Sequence, residues 1–483
     1  MKLSRSFTGR VGSHGKWFET MKEDEDYQQL QKLYTESTVK WKQPVMLPDT
    51  IDHRLVNLLP TKQSHHRQLD WEEYLHLLRK REKTNQFTEW DIKETSFVHK
   101  NDFHENYMNM YTEDLCLAYT QYKFSTTYGI TTRLLTEINK RLPAFSPERV
   151  LDFGCGPGAG LAAVKNYYPK SPSVYTGIDL NPHMRNISRY INEKIDIIYY
   201  QSLIDMLKEN TPRFNLILCN EVLSEQYSDH ERSSLTLLLY EYLSPGGCLV
   251  ISERGNRYGY HTVRSSRKFL LSMYGDDKEN NNKDNNNKDN NNKENINKDN
   301  NNKENNNKEN NNKENNNKDS RMDTKNTNEP LLSASPSPAP IILSPCTHCL
   351  ECPLKGNKNR WCYFVQQTAD LSNVSSPSAH PSGDPFSYIV FYKPYKEETI
   401  SSLHLYREKP SRILLQPIKN DKHVITDLCT SNGTFERHTY TKGKMSNMKE
   451  RYRAIRKSEW GGLWYDADEK EMELLKKLNE KKQ

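Results

Sequence analysis

A short apolar run that drops straight into three closely spaced glycines constrains this chain more than any other feature. It reads Val150-Leu151-Asp152-Phe153-Gly154-Cys155-Gly156-Pro157-Gly158 and is followed by Ala-Gly-Leu-Ala-Ala, a good helix opening. Glycine lets a backbone turn sharply and approach a ligand where a Cβ would collide. A strand, a glycine turn and a helix in that order make the phosphate- or nucleoside-facing corner of a parallel α/β sheet. The next strand candidate, Val174–Leu180, ends in Gly177-Ile178-Asp179-Leu180-Asn181-Pro182. An acid there, about twenty residues beyond the loop, is placed to accept hydrogen bonds from both hydroxyls of a ribose.

Further strand candidates are Arg149–Phe153, Leu216–Asn220 and Cys248–Glu253, with helices starting near Ala159, Pro182 and Glu231. This alternation predicts a mostly parallel sheet covered by helices. Together with Asn220-Glu221 and Leu243-Ser244-Pro245-Gly246-Gly247, it resembles a Rossmann-like class I S-adenosylmethionine-dependent methyltransferase core of α/β class. The expected cofactor residues are Asp152, Gly154, Gly156, Gly158, Asp179 and Asn220. A catalytic loop is not recognisable. The place of an Asn/Asp-Pro-Pro-aromatic loop holds Cys219-Asn220-Glu221-Val222-Leu223-Ser224-Glu225, and no Pro-Cys nucleophile appears. Glu221 and Glu253 are the nearest candidate bases, and both are equally suited to orienting cofactor or pairing with Arg254.

The second constraint is a group of cysteines in the last third of the chain. Cys346 and Cys352 form C-x5-C, Cys362 lies a short loop later, and Cys429 ends the apolar run Val424-Ile425-Thr426-Asp427-Leu428. Thiolates are natural ligands of zinc and of iron–sulfur clusters, and either accepts four. Free buried cysteines are the plainer reading. Cys349 is a fifth candidate, and His348 is expected to face solvent. Nine cysteines spread over an enzyme-like domain and one cluster argue against a disulfide scaffold.

Around these motifs the chain divides by composition. The first residues, through Arg10 and Lys16, carry no acid before Glu19, so 1–18 have the character of a mitochondrial presequence and equally of an ordinary basic tail. A helical region is expected over 19–145, including a helix at Asp70–Leu78 and another from Asp114 to Lys140 that Pro143 closes. The methyltransferase-like core occupies 146–275. Residues 276–340 contain a repeated Lys-Glu/Asp-Asn-Asn-Asn unit with almost nothing to bury, expected to be disordered. The cysteines and a small β module fill 341–466, with strands at Phe386–Lys393, Arg412–Ile418, His423–Leu428 and Thr434–Tyr440. A charged helix or tail follows over 467–483. No run of eighteen apolar residues is present, so no membrane span is expected.

The net charge of +6 suits an RNA partner without requiring one. The densest local basicity is Lys442, Lys444, Lys449, Arg451, Arg453, Arg456 and Lys457, interleaved with Tyr452. Cations there are placed to contact phosphates and the tyrosine to stack on a base, unless the stretch is a solvated helix face.

Taken together, the chain resembles the methyltransferase-like family of mitochondrial small-ribosomal-subunit proteins, with its fungal and bacterial relatives. The resemblance covers roughly Asp114 to Tyr465. It rests on Ala118-Tyr119, Thr127-Tyr128, the glycine loop, Val222-Leu223-Ser224-Glu225 and Glu253-Arg254-Gly255, and on Cys346-x5-Cys352-Pro353, Trp361-Cys362-x-Phe364, Phe386-Ser387-Tyr388 and Trp460-Gly461-Gly462-Leu463-Trp464. It implies a mitochondrial matrix protein that binds small-subunit rRNA on the assembling mitochondrial small subunit. It also implies a [4Fe-4S] cluster on Cys346, Cys352, Cys362 and Cys429; the C-x2-C turn made with Cys349 keeps zinc open as the alternative metal, and the methyltransferase-like core makes S-adenosylmethionine the second expected cofactor. Glu253-Arg254-Gly255 departs from the family's Glu-Pro-Gly, and Asn220-Glu221 is unusual before Leu-Ser-Glu, which bears on catalysis rather than fold. The competing functions are an active rRNA methyltransferase and a zinc-stabilised methyltransferase of a protein or small molecule.

Overall fold

The computed structural model describes Glu25, Gln28, Lys477 and residues 44–59, 112–226, 228–274, 337–357, 359–368, 383–396, 410–442 and 449–465. The repeat insert, the N-terminal basic segment, the Asp70–Leu78 helix and the charged C-terminal helix therefore lie outside the described residues. By contacts the chain divides into a unit of 1–273 with 338–483 and a unit of 274–337. The elements below belong to the first, save the last residue of one helix.

An eight-stranded mixed sheet carries the fold. Its strands are β1 (Arg149–Phe153), β2 (Val174–Ile178), β3 (Ile197–Tyr200), β4 (Phe214–Asn220), β5 (Leu243–Arg254), β6 (Ile341–Ser344), β7 (Phe364–Gln366) and β8 (Asp384–Tyr392). The order is β3-β2-β1-β4-β5-β8-β6, with β7 also paired to β8. The first five run parallel, and β8 enters antiparallel between β5 and β6. This is the mixed sheet of a Rossmann-like methyltransferase. Covering helices include α1 (Asp49–Leu58), α2 (Glu113–Arg141), α3 (Ala159–Tyr167), α4 (Pro182–Ile191), α5 (Leu203–Lys208), α6 (Asp229–Glu241) and α7 (Arg257–Tyr274).

Local chemistry sets several of these boundaries. The Thr112 hydroxyl accepts from the Leu115 amide at 3.3 Å to open α2, which stops two residues before Pro143. Asn181 caps α4 by accepting from the His183 and Met184 amides, with Pro182 at the first helical position. One side of α2 packs Leu134, Leu135 and Ile138 against Val150, Leu216 and Val390 of the sheet. Phe124 and Tyr128 meet Ala159, Met184 and Ile187 in a second core.

The strand at Phe386–Lys393, expected in the small β module, instead lies inside the main sheet as β8. Its residues from Phe386 to Tyr392 are buried, as a strand covered on both faces requires. The smaller sheet contains β9 (Ser411–Ile413), β10 (Ile418–Lys419), β11 (His423–Cys429), β12 (Phe435–Thr441) and β13 (Leu463–Trp464). Its order is β10-β11-β9-β13, with β12 on the other side of β11. The single strand expected over Arg412–Ile418 is thus two. Pro417, which has no amide hydrogen to give a ladder, lies in the break. The last described helix is α8 (Lys449–Lys457).

Candidate functional site

Two sites follow from this topology. The sheet order reverses between β1 and β4, and strand ends at such a switch point open into a crevice. Here a pocket of about 250 Å³ is lined by Gly154, Gly156, Asp179, Asn181, Asn220 and Glu221, with Tyr119, Phe153, Ile178 and Met184 as apolar walls. Gly156 has φ +49°, and a Cβ added to it would meet only the Tyr119 ring, at 3.9 Å. Asp179 accepts from the Gly156 amide at 2.8 Å and from the Asn181 amide at 2.9 Å, so the carboxylate ties the loop to the start of α4. Its pKa is raised by burial, against those two hydrogen bonds. Carboxylate oxygens have further acceptor capacity, so ribose hydroxyls remain compatible with this geometry.

Two expected cofactor residues do not line that pocket. Asp152 is 1% exposed and packs beneath the loop, where a Cβ on Gly160 would come within 2.4 Å of its Oδ2. Burial, and next the charge of Asp179, push its pKa up to about 7, and its Oδ1 has no hydrogen-bond partner among the described residues. Gly158, at φ +84°, faces Ser188 and Asn192 rather than the pocket. Both therefore shape the loop from behind. Of the two carboxyl groups around the loop only Asp179 lines the pocket, so it is the one placed to meet a ribose of S-adenosylmethionine.

On the acceptor side of the pocket Glu221 takes one of the roles the sequence left open to it, pairing with Arg254. Glu221, at φ +56°, receives Lys123 Nζ at 2.7 Å and Arg254 Nε at 3.3 Å. Burial alone would raise its pKa, but the two cations hold it down to about 2, which makes it a poor proton acceptor. Glu253 is 1% exposed, accepts from the Ser224 amide at 3.1 Å, and is pushed up to about 7 chiefly by burial. It does not line the pocket. Lys123 had no sequence signal, being one polar position on a long helix.

If the pocket takes S-adenosylmethionine, Asp179→Ala should weaken binding about tenfold or more, since each hydrogen bond to a charged acceptor contributes roughly 1.5–3 kcal/mol. Titration calorimetry checks this. Equal affinity in the variant would remove Asp179 from ribose recognition.

The second site lies where the β6–β7 connection meets the end of β11. A cavity of about 40 Å³ is lined by Cys346, Cys352, Cys362 and Cys429 together. Cys349 does not line it. Leu354, Leu414 and Ile389 give apolar walls, and α7 contributes Tyr260, Arg264 and Arg267, spaced i, i+4, i+7 on one helix face. Among the described residues, no three His, Cys, Asp or Glu side chains converge as ligands of one metal ion. Four thiolates on one zinc would stand about 3.8 Å apart, from the 2.3 Å zinc–sulfur bond.

The surroundings of the cavity are cationic. Arg267 is 5% exposed and donates to the backbone oxygens of His348, at 3.2 Å, and Leu350. Burial would lower its pKa, but the neighbouring Cys346, Cys352 and Cys349 raise it. Burial pushes the thiols of Cys346, Cys362 and Cys429 above the ordinary range, and each thiolate opposes the next. Tyr260 Oη lies 3.4 Å from Cys352 Sγ. His348, expected in solvent, is 3% exposed with Nε2 3.3 Å from Cys429 Sγ. Burial, then Arg267, lowers its pKa to about 4, so the ring is neutral.

Beneath the site runs a buried ion network. Glu137 of α2 receives Arg412 at 3.2 Å on both oxygens, Arg141 at 2.5 Å and the Ser344 hydroxyl at 2.9 Å. Arg412 also donates to the carbonyls of Pro345 at 2.7 Å and Gly461 at 2.6 Å. The Trp460–Trp464 motif is thus structural: Gly461 stands against Arg133, and Trp464 is 1% exposed in β13.

The basic stretch is divided by α8. Arg453, Arg456 and Lys457 are exposed, as is Lys442. Arg451 and Tyr452 are 5% and 6% exposed, and the Arg451 guanidinium lies 5.9 Å and 5.2 Å from the Tyr440 and Trp464 ring centres. The expectation that these two face RNA is corrected, because they form the apolar side of an amphipathic helix. Lys444 and the Lys449 side chain lie outside the described residues.

Comparison with known proteins fits this architecture. The family model described as mitochondrial small ribosomal subunit Rsm22 matches residues 113–280 and 338–465, more than half of the chain. Human METTL17, named a mitochondrial ribosome assembly protein, is 23% identical over 73% of this chain and 63% of its own length. The Schizosaccharomyces pombe Rsm22-cox11 tandem protein 2, also named mitochondrial, is 23% identical over 73% of this chain, which spans 43% of that longer protein. A trans-aconitate 2-methyltransferase of Methylobacterium nodulans is 31% identical over 26% of this chain and 45% of its own. The matched intervals take in both the glycine loop and all four cavity cysteines, and omit most of the repeat insert: the chain belongs to the mitochondrial small ribosomal subunit Rsm22 family.

Proposed function

We infer that this protein assists assembly of the mitochondrial small ribosomal subunit in the matrix by holding its rRNA, with S-adenosylmethionine in the pocket and a [4Fe-4S] cluster on Cys346, Cys352, Cys362 and Cys429. The observation that carries the reading is the meeting of those four cysteines, from the β6–β7 connection and from β11, on one cavity beside a buried arginine. A [4Fe-4S] cluster takes four cysteine ligands, the number of thiols that line this cavity. Bound there, it would supply an anionic thiolate-ligated core for Arg267 to face. The Tyr260 hydroxyl and the His348 ring are placed to hydrogen-bond two of the ligand sulfurs.

RNA contact is assigned to the exposed cations Lys442, Arg453, Arg456 and Lys457, together with Lys444 and Lys449 of the same stretch. Methyl transfer is not the essential activity on this reading, since Glu221, the acid at the place of the expected catalytic loop, is held by Lys123 and Arg254. Replacing Arg453, Arg456 and Lys457 by Gln should flatten the salt dependence of single-stranded RNA binding by about two units, at roughly 0.7 per phosphate. Fluorescence anisotropy across salt concentrations measures it, and an unchanged slope would place the RNA elsewhere. An active rRNA methyltransferase remains the competing reading because the cofactor pocket is open. Methyl incorporation into purified small subunits by wild type, abolished by Gly156→Arg, would establish it.

A further inference from the structure

The small sheet ends in an unusual pairing. Lys422 and Lys442 lie directly opposite each other, one step beyond the His423–Thr441 pair of β11 and β12, and the Lys442 amide donates to the Lys422 carbonyl at 2.8 Å. Residues facing each other across an antiparallel pair project to the same side, with Cβ atoms about 4.5–5.5 Å apart, and like charges there are destabilising. Both lysines are exposed. The same turn is fastened to α8, where Arg456 Nη1 donates to the Asn420 carbonyl at 2.9 Å and Lys457 follows on the exposed side. Three segments distant in sequence thus place Lys422, Lys442, Arg456 and Lys457 at one end of the sheet, with Asp421 an acid in the same turn.

We propose that this sheet end is a phosphate-gripping surface for an RNA backbone, in which Lys422 and Lys442 share one or two phosphates and α8 continues the track. The proposal rests on the RNA-binding reading above and extends it to Lys422, which lies outside the basic stretch. An anion between the two lysines converts their repulsion into attraction, so the pair is costly in the free protein and favourable in the complex. RNA is favoured over an acidic protein because the four cations are all exposed on strand-end and helix positions, and among the described residues Ile418 is the one large exposed apolar side chain beside the turn. Phosphates along a strand meet such a track without any base being read.

The test uses the full chain and a fluorescein-labelled oligouridylate. Lys422→Gln with Lys442→Gln should lower the salt slope by about 0.7 if the pair shares one phosphate and about 1.4 if it holds two. Either single change should raise the Tm of the RNA-free protein slightly while weakening binding, a pairing that damage to the fold would not give. A double-variant slope equal to wild type overturns the proposal, even if the triple variant of α8 loses its slope and the RNA reading stands. Polyglutamate competing as well as RNA on a per-charge basis overturns it too, by making the partner an acidic protein. Wild type that binds no oligouridylate removes the underlying RNA reading and this surface with it.

Discussion

Glu137→Gln should destabilise the protein by about 3–5 kcal/mol, the range for breaking a buried ion pair so that a charge is left uncompensated. Glu137 is 1% exposed and is the acid that Arg133, Arg141 and Arg412 bear on. Glutamine keeps the shape and one acceptor but leaves three buried guanidinium groups without the carboxylate charge between them. Since total stability is about 5–15 kcal/mol, the loss should appear as a large drop in Tm or as insolubility. Glu137 also makes a pH signature. Burial would raise its pKa, but the three arginines pull it well below the ordinary carboxylate range. A folded-state pKa below the unfolded value of about 4.3 gives stability that is present above that pH and lost as pH falls toward the folded pKa. Wild type should therefore lose stability on acidification below about pH 4–5 more steeply than the glutamine variant does. Matched denaturant titrations at several pH values decide it, and parallel pH curves would mean that Glu137 is not stabilised by its arginines.

The second large effect is expected at Cys352. Serine at this position removes one sulfur from the cavity and the partner of the Tyr260 hydroxyl. Ligation and folding are linked, and a structural metal site can supply on the order of ten kcal/mol, comparable to the whole stability of a domain. Cys352→Ser should abolish visible absorption and leave most of the protein insoluble. Cys349→Ser should leave absorption and stability as they are, because Cys349 does not line the cavity. A colourless Cys349 variant, or a Cys352 variant with full absorption, would reassign the ligands.

Much of this site is legible in the residues alone. The glycine loop and Asp179 announce a strand–turn–helix corner, since only small residues permit that turn and only an acid suits the ribose. Gly154, Gly156, Asp179 and Asn220 do line one pocket. The four cysteines are legible from residue type and spacing, although their meeting depends on β11 arriving beside the β6–β7 connection. What the sequence hides is long-range. Phe386–Tyr392 has the same apolar look in a central strand as in a small module, and only its pairing with β5 and β6 decides. Arg451 and Arg453 look equivalent in a basic run, yet two positions on a helix turn one inward and the other outward. Arg412 and Glu137 are 275 residues apart, and no local pattern announces such a pair. Tyr260, Arg264 and Arg267 carry a helical spacing that marks one face, but not what that face meets.

The metal content of the protein decides whether Cys346, Cys352, Cys362 and Cys429 hold the iron–sulfur cluster proposed for their shared cavity. Wild-type protein purified without exposure to air should be brown, with about four irons and four acid-labile sulfides per chain and no stoichiometric zinc. Stoichiometric zinc with no iron, in protein never exposed to air, would contradict that assignment.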